Sequence, residues 1–191
     1  MSNFVNHKHK IIVIHIPKCG GSSVRKYSNI EFTEKFLGYI PEDYMHYTKI
    51  GFCRHPIDRF ISAFKMFKYG TDLQLKPQMP ELNVQMATDI LLNNSIGFDN
   101  VPYSPEHFKH HAIPIAHPYN CIQYADHIIR FENYEHDVKR HFKELNISIE
   151  VTKTNYTNKD IAVNLTKSQK TILFDYYKED FETFDYKMEL K

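Results

Sequence analysis

Tryptophan is absent from this chain of 191 residues, and cysteine and glycine are scarce, with three and six copies. Cys19, Cys53 and Cys121 are too few and too scattered for a disulfide framework, which points to a reducing compartment. No sign of charge dominates: 24 basic against 23 acidic residues leave a formal net charge of +1. That excludes the broad basic surface on which nucleic-acid binding rests, so no nucleic-acid partner is expected and any anion site must be local. No apolar run approaches the roughly 20 residues of a membrane span. Residues 1–10 are polar, and the apolar stretch 11–16 is too short for the core of a secretory signal. A cytoplasmic protein without a membrane span is the expectation. Two nucleotide signatures are missing as well. The Walker A pattern needs its lysine after the glycines, whereas Lys18 stands before Gly20 and Gly21, and no G-x-G-x-x-G is present.

What remains is informative. A content of 42% hydrophobic residues, with 13 Tyr and 14 Phe, suits one domain over 1–191 with a substantial core. The β-branched run Ile11-Ile12-Val13-Ile14 stops at Pro17, and Lys18-Cys19-Gly20-Gly21-Ser22-Ser23 follows before a helix can begin. Strand, glycine loop and helix start form an arrangement that holds phosphate or sulfate: backbone N–H groups converge, the helix dipole favours an anion, and glycine permits close approach. Taken alone, the same residues also fit an ordinary strand-to-helix turn. A second segment shifts the balance. Residues 49–54 read as another buried strand ending at Arg54, and Pro56 opens a helix whose buried face is Ile57, Phe60, Ile61, Phe64 and Phe67. Ser62 lies roughly two turns into that helix. In a parallel sheet, ligands bind beyond the C-terminal strand ends, where both Lys18 and Arg54 fall.

The remaining elements follow from pattern. Strands are expected at 10–16, 49–54 and 125–131, and helices at 22–29, 56–69, 83–94, 134–145 and 167–186. Irregular chain is expected at 70–80, 97–120 and 153–164, and residues 7–10 read as a solvated tail. Alternating strands and helices predict an α/β domain with a mainly parallel central sheet flanked by helices.

The segments IPKCGGSS and FCRHPIDRFISAF resemble the two cofactor segments of the sulfotransferases that use 3′-phosphoadenosine 5′-phosphosulfate (PAPS). Glu106-His107-Phe108, the stretch 124–133 and the C-terminal stretch 165–186 resemble the Golgi-type carbohydrate sulfotransferases and their bacterial relatives. The resemblance implies a P-loop-NTPase-like three-layer fold, PAPS as donor, adenosine 3′,5′-bisphosphate (PAP) as product and the hydroxyl of a saccharide as acceptor. It assigns Lys18, Cys19, Gly20, Gly21, Ser22 and Ser23 to the 5′-phosphosulfate, and Arg54 with Ser62 to the 3′-phosphate. It also implies catalytic roles for Lys18, which would stabilise the leaving oxygen, for His107 as base, and for Glu34 or Glu31, since some relatives place a carboxylate after the first helix.

Other candidates carry less. Along an extended segment, His46 would stand roughly 25 Å from Arg54, at the wrong end of the sheet. Arg59 reads as a surface or salt-bridged helix arginine, with Asp58 or Glu132 as partner. His107, His110, His111 and His117 lack the spacing of a structural zinc site, and no metal is expected. Two alternatives stand beside the sulfotransferase: a small kinase with a divergent phosphate loop, and a non-catalytic binding module on the same fold. The acceptor and the oligomeric state are not legible.

Overall fold

The computed structural model describes residues 2–71, 76–97, 101–150 and 161–188. Its strands are β1 (Ser2–Asn6), β2 (Ile11–His15), β3 (Glu34–Leu37), β4 (Thr48–Cys53) and β5 (His127–Arg130). They form a single sheet in the order β3-β1-β2-β4-β5. Ile11 to Ile14 are all buried, as a strand covered on both faces requires, and β2 occupies the middle of the sheet. β2 pairs in parallel with β4, and β4 with β5, while β1 runs antiparallel to both β2 and β3. Four of the five strands therefore point the same way, and the expected α/β class with a mainly parallel sheet is present.

Packing divides the chain into two compact units, Met1–Arg54 with Ile115–Thr154 and His55–Pro114 with Asn155–Lys191, each taken over its described residues. The first unit holds the sheet with helices α1 (Gly21–Tyr27) and α5 (Tyr134–Glu144). Close packing fixes Gly51 in β4, because a Cβ there would run into Ile122 Cδ1.

The second unit is helical: α2 (Pro56–Tyr69), α3 (Val84–Leu92), α4 (Pro105–Ala112), α6 (Lys167–Tyr176) and α7 (Lys178–Thr183). Pro56 opens α2 at its first turn. Phe60, Phe64 and Phe67 of α2 are buried with Phe108 of α4, Leu173 and Phe174 of α6 and Phe181 of α7. Burial of each such phenylalanine is worth roughly 2–3 kcal/mol.

Five readings of the sequence need correction. Residues 7–10 are not a tail: they form the turn between β2 and a strand not expected from the sequence, Ser2–Asn6, whose register runs from Ser2↔His15 to Asn6↔Ile11. Its polar composition hid it, and the polar groups are used. Asn3 Nδ2 donates to the Tyr39 carbonyl at 2.9 Å, and Asn6 Nδ2 to the Glu31 carbonyl at 2.6 Å. Second, β3 was unforeseen; it is an exposed edge strand with charged Glu34 and Lys35 and no alternation to betray it. Third, the irregular stretch expected at 97–120 contains α4, started by Ser104, whose side chain accepts from the His107 N–H, and by Pro105 in the first turn. Fourth, the terminal helix is two helices. The chain leaves helical geometry at Tyr177, which is fully buried and donates its hydroxyl to the Ala112 carbonyl at 2.6 Å. Fifth, Arg59 is not at the surface. It is 0% exposed and donates to the carbonyls of Ile113 at 2.7 Å and His111 at 3.1 Å. The loop expected at 153–164 lies outside the described residues up to 160.

Candidate functional site

The loop that follows β2 is held in a conformation few sequences tolerate. Lys18 has φ of 67° and Gly20 φ of 96°. A left-handed non-glycine residue costs roughly 1–2 kcal/mol, and such strain persists where surrounding contacts fix it. At Gly20 glycine is required twice over. The backbone is left-handed, and a Cβ would stand 2.8 Å from Tyr134 Cε2 and 3.1 Å from Phe131 Cδ2. At Gly21 a Cβ would meet His15 Nδ1 at 3.0 Å.

Tyr134 braces this loop. Its hydroxyl donates to the Gly20 carbonyl at 3.2 Å, and the same carbonyl accepts from the Ser23 N–H at 3.0 Å. Burial pushes the Tyr134 phenol up to about 12, against a smaller downward pull from hydrogen bonds with the Ser23 side chain and the Val24 backbone. The hydroxyl is therefore a permanent donor at working pH. Ser22 and Ser23, residue types that often cap helices, do not cap α1: Gly20 occupies the cap position and has no side chain to cap it. The N–H groups of Gly21 and Ser22, at the very start of the helix, have no preceding carbonyl of their own helix to meet.

Arg54 follows β4 and comes to this loop. Its Nη1 donates to the Lys18 carbonyl at 3.2 Å, and its guanidinium lies 4.2 Å from the centre of the Phe131 ring. The Lys18 ammonium is pulled down from 10.5 to about 8, first by burial and then by the positive charge of Arg54, with Cys19 acting in the opposite sense. At neutral pH most of the Lys18 population is still protonated. Two cations thus act on one another at the C-terminal ends of adjacent parallel strands. An anion bound there would relieve the repulsion and strengthen both contacts.

The structure brings together Lys18, Cys19, Gly20, Gly21, Ser22, Ser23 and Arg54 in the first unit. It does not bring Glu34 to them. Glu34 pairs in register with Val5, and Val5 with Ile12, so Glu34 is level with the start of β2 and away from the loop that follows its end. There its carboxylate meets His7 Nε2 at 3.1 Å and accepts from the Tyr44 hydroxyl at 3.2 Å. Glu31 is exposed, and so is His46, in the turn that leads into β4. Ser62 and His107 belong to the second unit. Ser62 is buried on α2. His107 is buried on α4, with its ring edge-on to Phe67 at 5.1 Å. Its Nδ1 lies 2.8 Å from Gln78 Oε1, which the Tyr103 N–H also approaches at 3.5 Å. An oxygen that accepts from an N–H requires His107 to carry its proton on Nδ1, which leaves Nε2 as the basic nitrogen. Burial lowers the His107 pKa, favouring that neutral form.

Tyr134 and Phe131 are the residues that sequence reading missed. Both were assigned to a helix start and a strand end, without contact to the glycine loop; the Tyr134–Gly20 contact spans 114 positions. A tyrosine and a phenylalanine where β5 gives way to α5 were the available signal.

The family model described as the sulfotransferase family matches residues 2–187, and the chain belongs to that family. No curated protein and no solved structure matches the chain. The family supports a transferase that moves sulfuryl groups. Among the described residues, no helix is long and apolar enough to cross a membrane.

Proposed function

We propose that the chain, working over 1–191 as one sulfotransferase unit of the P-loop-NTPase-like kind, transfers a sulfuryl group from PAPS to a hydroxyl of a saccharide acceptor and releases PAP. The observation that carries this reading is the convergence of Lys18 and Arg54 on the strained loop after β2. PAPS is strongly anionic at both ends, and a locally cationic site on a chain of net charge +1 suits such a donor. The backbone of Gly20, Gly21, Ser22 and Ser23, beside Cys19, is assigned to the phosphosulfate. Arg54 is assigned to the 3′-phosphate, with Ser62 as its expected partner by resemblance. An arginine fork suits a phosphate because it can donate two parallel hydrogen bonds.

In the transfer, an acceptor oxygen attacks sulfur in line while the bond from sulfur to the bridging phosphate oxygen breaks. The electron pair of that bond stays on PAP. Lys18 neutralises the charge that grows on the departing oxygen, a role typically worth about 2.7–4 kcal/mol for one well-placed donor. His107 Nε2 is the assigned acceptor of the hydroxyl proton, which its neutral state permits. Glu34 has no part, given its place at the other end of the sheet. The test is incubation of the purified chain with sulfur-labelled PAPS and a panel of glycans, read by mass spectrometry, with ATP as a parallel donor. Labelled glycan and no phosphorylated product is the expected outcome. Phosphoryl transfer from ATP, or bisphosphate binding with no transfer to any hydroxyl, would replace this reading with a kinase or a binding module.

A further inference from the structure

At the other end of α5 from Tyr134, three potential ligands converge. His127 opens β5, and His141 and Glu144 lie one turn apart on α5. His127 Nδ1 and His141 Nδ1 are 3.0 Å apart. Glu144 Oε2 is 3.2 Å from His141 Nδ1 and 3.9 Å from His127 Nδ1. Among the described residues this is the one triad of His, Cys, Asp or Glu side chains found close enough to share an ion. A tetrahedral zinc ion with ligands at its usual bond lengths sets them about 3.3 Å apart. Two of the three separations fall near that value, and the third closes with a small rotation of the half-exposed Glu144. The imidazoles are largely buried while Glu144 faces solvent, so an ion has both a low-dielectric floor and an entry path.

We propose that His127, His141 and Glu144 form a binding site for a single divalent cation of zinc type, with solvent completing the fourth position, which ties the start of β5 to the end of α5. Two nitrogens and one carboxylate oxygen favour borderline cations over magnesium or calcium, which take oxygen ligands. The ion would hold the strand–helix unit that presents Phe131 and Tyr134 to the glycine loop. It lies apart from Lys18 and Arg54 and takes no step in the transfer. Arg140 sets a condition on binding. Its Nη2 lies 2.9 Å from His141 Nε2, and a guanidinium can only donate, so without an ion the His141 proton sits on Nδ1. A cation on Nδ1 displaces that proton to Nε2, where it would face the guanidinium. Arg140 must then turn away, toward Asp137, 3.6 Å from it, or Glu144 Oε1, at 4.0 Å.

The experiment is calorimetric titration of the full chain with zinc chloride and, separately, magnesium chloride, without nucleotide, followed by cobalt(II) absorption spectra. The expected result is a single zinc equivalent, no magnesium binding and a tetrahedral cobalt spectrum. His141→Ala and the conservative surface change Glu144→Gln should each weaken zinc about tenfold or more, and Arg140→Ala should tighten it. A wild-type chain that takes up no zinc, equal binding by a His127→Ala/His141→Ala variant shown to be folded, or weaker binding by Arg140→Ala would each overturn the proposal.

Discussion

The two ends of the sheet treat charge in opposite ways. Where β2 and β4 begin, side-chain nitrogens meet carboxylates. His7 pairs with Glu34 at 3.1 Å, and Lys49 Nζ lies 3.5 Å from Asp126 Oδ2 while donating to the Met45 carbonyl at 2.7 Å. Where β2 and β4 end, Lys18 and Arg54 act on each other, and the Lys18 ammonium is weakened as a result. The first arrangement ties the starting ends of the strands to the chain beside them. The second raises the energy of the unliganded chain and lowers it when an anion arrives. Nitrogens matched to carboxylates thus mark the structural end, and two like charges brought together mark the working end.

Replacing one lysine at each end probes that contrast most strongly. Lys18→Ala should slow sulfuryl transfer by about 10²–10³-fold and leave the urea midpoint unchanged or raised. Lys49→Ala should leave the rate within about twofold and lower stability by about 1 kcal/mol. Initial rates and urea melts of both variants decide the matter; a comparable rate loss in Lys49→Ala would erase the distinction. Next in size, Gly20→Ala should cost about 2 kcal/mol or more through its left-handed backbone and the approach of Tyr134. Gly97→Ala, where a Cβ meets nothing within 4 Å, serves as the control. Thermal unfolding together with bisphosphate binding should show only the first variant impaired. Tyr134→Phe removes one hydroxyl from the Gly20 carbonyl and should cost about 1 kcal/mol, with a modest loss of bisphosphate affinity read by calorimetry. Glu34→Gln should have the smallest effect, within about 0.5 kcal/mol because the pair is half-exposed, and no effect on transfer rate.

Much of this was legible locally. The run Ile11 to Ile14 specified β2, Pro56 and the phenylalanine spacing specified α2, and IPKCGGSS placed the loop, because each signal lies within one element. Where a residue's role depends on a distant partner, sequence reading failed. Arg54 and Arg59 stand five positions apart, and the sequence told them apart only in part. Its position at a strand end sent Arg54 to the anion site, and it does bond the Lys18 carbonyl beside the glycine loop. Arg59 read as a surface or salt-bridged helix residue, whereas it is buried against the carbonyls of His111 and Ile113, which lie 52 and 54 positions away. β1 was hidden for the same reason, since the amides that make it read as polar chain serve carbonyls 36 and 25 residues away.

The titration of Lys18 connects these observations. Its folded value, about 8, lies below the ordinary 10.5, so below about 8 the ammonium is charged in both states and the folded chain bears the cost of burying it. Between those values the unfolded chain binds the extra proton, and stability rises with pH. Anion affinity runs the other way, because the site needs the charged lysine. The most direct test is calorimetric binding of adenosine 3′,5′-bisphosphate from about pH 7 to about 10, a range that spans the Lys18 titration. Wild-type affinity should hold to about pH 8 and then fall, and Lys18→Ala should bind more weakly with no such bend. A wild-type affinity that stays level through the range, or the same bend in Lys18→Ala, would contradict the assignment of this loop as the donor site.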